Sequence, residues 1–517
     1  MGLTKQRHLL FHPREKSTFF SARWQKEYSP DLTFVSRDNN DIPVHSRRQI
    51  LDPFPKSQDR PVLITIGLSI ATTPSLPKPR WNFQKANWDD FTDHIEKTCT
   101  RIPPKQENIN RFTKLVLCSA KKYIPRGHRS HYIPCWSEKS NALLEKYEET
   151  YDQSVGEDLL ESLREGRRNK WIDTVESLDL KHSSRHAWNL LKKLDPVKNS
   201  KSTHSTPIDV EMIAKEIKQR STHKSDHKFE KEIRKEYQRS YQSKPSDSFS
   251  SIPVSKEEVE VAIKHMKAGK AAGIDGIYPD MIKKLGPKAM QWLSIIFSEA
   301  VEYSKIPRIW KEAKILAILK PGKPPNIPSS YRPISLLCCF FKLLERIILT
   351  RITPTLDMHI PANQAGFRPG RDTTEQVLAI TSFIESGYEQ KLKTGVVFID
   401  LSAAYDTVWH DGLMHKLSKY ITCKRTLSLL HHMSGKRTYH VCLGNQTSKK
   451  RTINNGVPQG SVLAPTLFNI YISDISDTTS LKLGYADDFA IAYQSNNTGT
   501  IETTLSNDIT NLQNYFE

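Results

Sequence analysis

The sequence has no apolar run approaching the ~20 residues that a membrane-spanning helix needs. Its first residues, Met1-Gly2-Leu3-Thr4-Lys5-Gln6-Arg7, lack the apolar core of a signal peptide. Gln6 stands where an acylation consensus after Gly2 wants Ser or Thr, so nothing points to a lipid anchor. Cysteine is scarce, with seven in 517 residues (Cys99, Cys118, Cys135, Cys338, Cys339, Cys423 and Cys442). None forms a C-x-x-C pair or lies beside His at zinc-ligand spacing, so no structural zinc is implied and buried free thiols in a reducing compartment are expected. Acidic residues are outnumbered, 57 Asp and Glu against 76 Lys and Arg, which leaves a net charge of +19. That balance suits a polyanionic partner, nucleic acid or an anionic membrane, and the missing apolar runs weigh against the membrane. Hydrophobic content is low at 37% but enough for a core in part of the chain. The length predicts roughly two to four structural units.

Residues 1–75 show two short strand patterns, at Thr33-Phe34-Val35-Ser36 and Pro61 to Ile66, too few to hide their own edges. Residues 76–196 read as a helical, basic connector marked by Trp81, Trp88, Trp136, Trp171 and Trp188. Within it, Lys121 to Arg129 is a basic cluster around Tyr123, either a phosphate-contacting loop or a solvated helix end. Residues 197–251 are rich in Ser, Thr, Lys and Gln and predict a flexible linker with one weak charged helix, Val210 to Tyr241. Order resumes at Ser255-Lys256-Glu257-Glu258, a capping box opening a helix whose apolar face is Val259, Ala262, Ile263 and Met266. The glycine-punctuated loop Lys267 to Gly276 matches no Walker pattern.

Chemistry gathers beyond this point. Lys320 ends a strand and leads into Pro321-Gly322-Lys323, followed by Tyr331-Arg332-Pro333, so Lys320, Lys323 and Arg332 can converge on an anion. A helix from Phe341 is expected to close at Pro354, and Gln364-Ala365-Gly366-Phe367-Arg368 forms a basic loop before a helix near Thr373. The strand Val396 to Leu401 ends in Asp400, with Tyr405 and Asp406 at fixed offsets behind it. Val457-Pro458-Gln459-Gly460-Ser461 is a sharp loop opening a helix from Val462 to Ile475. Near the end, Leu481–Tyr485 and Phe489–Tyr493 predict a hairpin with Ala486-Asp487-Asp488 as its turn. Two adjacent carboxylates are costly unless a cation neutralises them, and Mg²⁺ prefers such hard oxygen donors.

Taken together, residues 252–517 resemble the reverse transcriptase of non-LTR (LINE-type) retrotransposons, most like the jockey group. The resemblance is carried by Lys320-Pro-Gly-Lys323, Tyr331-Arg-Pro-Ile-Ser-Leu336, Gln364-Ala-Gly-Phe-Arg368, Phe398-Ile-Asp-Leu-Ser-Ala-Ala-Tyr405-Asp406, Gly456-Val-Pro-Gln-Gly-Ser461 and Tyr485-Ala-Asp-Asp488, in the family's order. It implies an α+β right-hand polymerase with fingers and palm, an antiparallel palm sheet backed by helices. It further implies RNA-directed DNA synthesis by two-metal nucleotidyl transfer from dNTP to a primer 3′-hydroxyl. Asp400, Asp487 and Asp488 would hold two Mg²⁺ ions, with Mn²⁺ as an alternative. Lys320 or Lys323 with Arg332 would hold the triphosphate, and Gln459 with Gly460 would line the nucleotide pocket. Tyr405 would exclude a 2′-hydroxyl, while Asp406 and Asp474 would be helix-end and surface residues. The implied partners are an RNA template, a DNA primer or target, and dNTPs. The implied setting is an intracellular ribonucleoprotein of nucleus or cytoplasm.

Departures from the family pattern set further expectations. The chain ends at Glu517, soon after the acidic hairpin, so no thumb is expected. Residues 1–75 resemble the C-terminal end of an exonuclease-III-like endonuclease domain. Gln58 and Asp59 stand where that family has Asp and His, so no nuclease activity is expected. A template-directed RNA polymerase shares the palm but usually carries Gly-Asp-Asp and lacks an aromatic at the place of Tyr405. The alternative is a degenerate, truncated product that binds RNA without polymerising.

Overall fold

The computed structural model describes residues 8–11, 17–29, 33–36, 46–52, 59–68, 70, 72–74, 80–127, 131–176, 208–222, 227–246 and 252–516. Contacts divide the chain into two compact units, residues 1–80 with 126–203, and residues 81–125 with 204–517.

The first unit contains short antiparallel pairs, His8–Phe11 with Thr33–Ser36, Phe19–Ser21 with Lys26–Tyr28, and Ser46–Ile50 with Val62–Ile66. The last strand leaves Leu63, Ile64 and Ile66 exposed, as a pair of strands without a covering layer must. Gln58, one of the two departures from the endonuclease pattern, lies outside the described residues, as does Trp188. Two helices follow, Glu138–Thr150 and Gln153–Glu176. The second buries only a stripe including Val155, Leu159 and Leu163 along an otherwise solvated rod.

The second unit opens with helices α1 (Trp88–Cys99) and α2 (Ile109–Tyr123). Each repeats apolar residues at helical spacing, Phe91, Ile95 and Cys99 on α1, and Ile109, Phe112 and Val116 on α2. Phe112 stacks on Trp292 with centroids 4.3 Å apart, and the Trp292 indole donates to the Ile102 carbonyl at 2.8 Å. Residues 81–125 therefore belong to the core of the second unit rather than to a separate connector. The basic cluster is divided: Lys121, Lys122 and Tyr123 form the last turn of α2, while His128 and Arg129 lie outside the described residues.

The stretch expected as a flexible linker with one charged helix, Val210 to Tyr241, contains α3 (Val210–Arg220) and α4 (His227–Gln242) in place of that one helix. Asp209 caps α3 by accepting from the Glu211 amide, and Val210, Ile213, Ala214 and Ile217 form one buried face. Next come α5 (Lys256–Lys264), started by the Ser255–Glu258 capping box, and α6 (Pro287–Tyr303). Strands β1 (Glu312–Leu319) and β2 (Tyr331–Leu336) pair antiparallel, followed by α7 (Cys339–Leu356) and α8 (Thr373–Glu389). Pro354 does not close α7 but sits inside its last turn. Then follow β3 (Lys393–Asp400), α9 (His410–Tyr420) and α10 (Lys424–Ser434). The remaining elements are β4 (Arg437–Leu443), β5 (Gln446–Thr447), β6 (Arg451–Ile453), α11 (Ala464–Tyr471), β7 (Leu481–Tyr485), β8 (Asp488–Ser495) and α12 (Thr498–Phe516).

Two sheets result. A mixed five-stranded sheet has β1 between β2, to which it is antiparallel, and β4, to which it is parallel, with β5 and β6 added to β4. A three-stranded antiparallel sheet has the order β3-β8-β7. The α12 helix lies against the latter so closely that a Cβ on Gly395 would come within 2.4 Å of Ile501. The architecture is mixed α+β. None of the seven cysteines is in a disulfide; Cys99, Cys338, Cys339 and Cys423 are buried, whereas Cys118 is exposed and Cys135 and Cys442 are half-buried. Among the described residues, no helix is long and apolar enough to cross a membrane.

Candidate active site

Strand β3 reaches its carboxylate through Val396-Val397-Phe398-Ile399, a β-branched and apolar run suited to a sheet. Its register with β8 places Asp400 directly opposite Asp488. On the other side Tyr485 pairs with Asp488, so the hairpin turn is Ala486-Asp487 and Asp488 is already the first residue of β8. Two-residue hairpin turns favour positive φ, and Ala486 adopts φ 61°.

Ala486 is held there from outside the hairpin. The Gln364 amide donates from Nε2 to the Ala486 carbonyl at 3.1 Å and accepts at Oε1 from the Ala486 amide at 2.8 Å. Backbone bonds tie the same loop to β7, Ala365 N–H to Gly484 O and Gly484 N–H to Asn363 O, both 2.9 Å. Gly366 passes so near that a Cβ there would lie 2.1 Å from the Ala486 nitrogen.

A cleft of about 1270 Å³ opens beside this turn. Asp400, Asp487, Tyr405, Gln459, Gly460, Lys320, Lys323 and Arg332 all line it; Asp488 does not. The lysines sit on the β1–β2 connection, where Lys323 N–H donates to Lys320 O at 3.2 Å and Lys320 N–H to Ser330 O at 2.9 Å. Gln459 O accepts from Ser335 N–H at 2.8 Å. Gly460 has φ +120°, and a Cβ there would come within 2.5 Å of the Ser335 carbonyl. This loop also threads past Tyr405, whose carbonyl accepts from Val457 N–H at 2.7 Å.

The Tyr405 ring stacks on Phe468 with centroids 4.9 Å apart and stands at 88° to Phe367 across 6.3 Å. Its hydroxyl is buried without a hydrogen-bond partner, and burial, then the charge of Asp487, push its pKa up. Asp406, expected near the surface, is buried; burial raises its carboxyl while Arg220 and Arg437 oppose that rise. It lies in the one-turn helix Ala404–Thr407 and lines the wall of the same cleft rather than facing open solvent. Asp474 accepts from Lys416 Nζ and Tyr515 Oη, joining α9 to α12 and standing apart from the cleft.

Residues 318–516 match the family model for reverse transcriptase, the RNA-dependent DNA polymerase. This stretch is a reverse transcriptase domain. The chain is 37% identical over 255 residues to the probable RNA-directed DNA polymerase from transposon BS of Drosophila melanogaster, a match covering 47% of this chain and 28% of the relative. It is 36% identical over 254 residues to the RNA-directed DNA polymerase from mobile element jockey of Drosophila funebris, covering 47% and 28% respectively. A polyprotein from the type-1 retrotransposable element R2 of Popillia japonica is 30% identical over 233 residues, covering 43% of this chain and 30% of that one. The chain thus spans about 30% or less of the length of these relatives.

The reverse transcriptase domain implies a polymerase palm, and the carboxylate trio suits a divalent cation by its chemistry. Burial first, and then the negative charges of Asp487 and Asp400, raise the Asp488 carboxyl above the usual range. Like charges facing each other across a sheet destabilise it unless neutralised. Among the described residues no group of three or more His, Cys, Asp or Glu side chains is arranged to hold a metal ion. Donor type therefore supports the fit here, and completed coordination geometry does not.

Three contributors escaped the sequence. Arg220 lines the cleft from α3, outside the matched residues, and pairs with Glu216 at 2.9 Å. The charged helix expected from Val210 to Tyr241 begins where α3 begins, but that reading set it in a linker and did not give its buried face, Val210, Ile213, Ala214 and Ile217. Gln364 gave no sign that its side chain, rather than its basic neighbours, would matter. Glu345, buried on α7, accepts from Ser461 Oγ and from Val462 N–H at 3.0 Å, anchoring the helix that follows Gln459 and Gly460.

Proposed function

We propose that this chain carries out RNA-templated DNA synthesis, adding dNTPs to a primer 3′-hydroxyl. The observation carrying the proposal is one cleft lined both by the carboxylates Asp400 and Asp487 and by the cations Lys320, Lys323 and Arg332. Asp400, Asp487 and Asp488 would hold two Mg²⁺ ions, with Mn²⁺ able to substitute. Bound there, such ions neutralise charge on the reacting phosphate and lower the pKa of the attacking hydroxyl. Arg332 and one of the two lysines hold the triphosphate by charge-assisted hydrogen bonds. Gln459 and Gly460, fixed against β2, bound the nucleotide. Tyr405 presses its ring against the sugar position and excludes a 2′-hydroxyl. An RNA template and a DNA primer or target are the partners this chemistry requires.

The second proposal, RNA binding without synthesis, is supported by the net charge of +19 alone. One experiment separates them. With an RNA template, a DNA primer and Mg²⁺, wild-type chain extends the primer, and Asp487→Asn abolishes extension while retaining RNA affinity. Equal extension by both proteins would overturn the assignment. No extension by wild type, with salt-sensitive RNA binding, would select the second proposal.

A further inference from the structure

Phe367 is 53% exposed, whereas Gln364, Ala365 and Gly366 just before it are buried. It also adopts φ 61°, a left-handed conformation that a bulky side chain seldom takes. Both flanks impose that conformation. Gly366 O accepts from Asn469 Nδ2 at 2.9 Å, and Gly366 N–H donates to Gln364 Oε1 at 2.9 Å. Arg368 donates from Nε to Asp357 at 3.1 Å and from Nη1 to the carbonyls of Pro361 and Gln364 at 3.2 and 3.3 Å. The surrounding bonds thus hold a strained residue so that an apolar ring faces solvent on the cleft wall.

A phenylalanine kept for packing would be buried, and a residue kept for its left-handed turn would be glycine. Neither purpose explains Phe367. The cleft offers a third. Its cations suit phosphates and its carboxylates suit metal ions, but neither recognises the flat apolar face of a base. The ring of Phe367 stands at right angles to that of Tyr405, leaving an aromatic corner within the cleft. Every nucleobase presents a π-face to such a surface whatever its sequence.

We propose that Phe367 is a substrate contact whose ring stacks on a nucleobase bound in the cleft beside Tyr405. The proposal rests on the polymerase function proposed above. The base belongs either to the incoming nucleotide or to the template, and the two leave different traces.

The test uses the full chain as wild type, Phe367→Gly and Phe367→Trp. It measures melting temperature, KM for dTTP on a poly(rA)–oligo(dT) duplex, and Kd for the same duplex carrying a fluorescent label. Glycine relieves the backbone strain, so Phe367→Gly melts no lower than wild type. Yet it raises KM for dTTP about tenfold if the incoming base stacks, or duplex Kd about tenfold if the template base does. Phe367→Trp, which keeps an aromatic face, recovers most of that loss. The proposal is overturned if neither constant moves, or if affinity falls only in step with melting temperature. Should wild type extend no primer, the polymerase proposal fails separately, and binding of labelled duplex and labelled dTTP decides. Weaker binding of either by Phe367→Gly supports stacking; equal binding, or none by either protein, overturns it.

Discussion

Glu345 is a carboxyl group almost without solvent, 2% exposed, whose partners lie at the start of the helix after Gly460. Burial pushes its pKa up to about 7 from 4.5, against the hydrogen bonds from Ser461 and Val462 that lower it. Between those values the folded chain holds a proton that the unfolded chain has released. Its contribution to stability is therefore greatest below the interval and is lost as pH rises through it. Asp275, raised by burial to about 6 from 3.8, adds a contribution of the same sign over its own interval. Glu345→Gln keeps the side-chain volume and removes the titration. Urea unfolding at about pH 5 and pH 7 should show wild type losing more stability than the variant, by about 2 kcal/mol. Identical losses in both proteins would show that Glu345 does not titrate in this range. Sequence singled out Asp400, Lys320, Arg332 and the uncharged Gln459, which all line the cleft, because they fall in ordered motifs. It could not show Glu345 or Gln364 at work, since a buried polar side chain is indistinguishable in sequence from an exposed one.

At the scale of elements, the central device is the contact between the 363–368 loop and the β7–β8 turn. Gly366 has no positive φ, so its backbone would accept alanine, but the space would not. The added Cβ would meet the Ala486 backbone at 2.1 Å rather than the movable end of a side chain. Overpacking of this kind commonly costs about 1–3 kcal/mol and shifts backbone. Displacing the residue before Asp487 by even ~1 Å is enough to lower a positioned reaction about 10²-fold. Gly366→Ala should therefore depress primer extension by about that factor with RNA affinity intact. Extension at the wild-type rate would mean that the loop does not position the turn. The hairpin itself was legible from its flanking apolar strands, although Asp488 proved to belong to β8 rather than to the turn. The start of α3 was legible at Val210 but its burial was not, because eleven residues with one apolar face inside a polar segment do not show what will cover them. Its burial depends on β4, where the Tyr439 hydroxyl donates to Ala214 O at 2.8 Å, a partner more than two hundred residues away.

For the whole molecule, the reverse transcriptase domain is only part of the unit that builds the cleft. Residues 81–125 bring Phe112 against Trp292, and α3 brings Arg220 to the cleft wall. Boundaries drawn from composition at 76–196 and 197–251 cut through these contacts, because composition records local polarity and not what a distant surface will cover. The α+β class and the order of the motifs were legible because they depend on local periodicity and on short, ordered runs. The proposed synthesis depends on Asp400, Asp487 and Asp488 jointly binding catalytic metal. Mn²⁺ can be counted directly, by electron paramagnetic resonance, on the chain bound to an RNA template, a dideoxy-terminated DNA primer and a dNTP. Wild type should bind about two ions per complex, and Asp487→Asn fewer at the same free Mn²⁺. Equal numbers of bound ions in the two proteins would contradict joint binding.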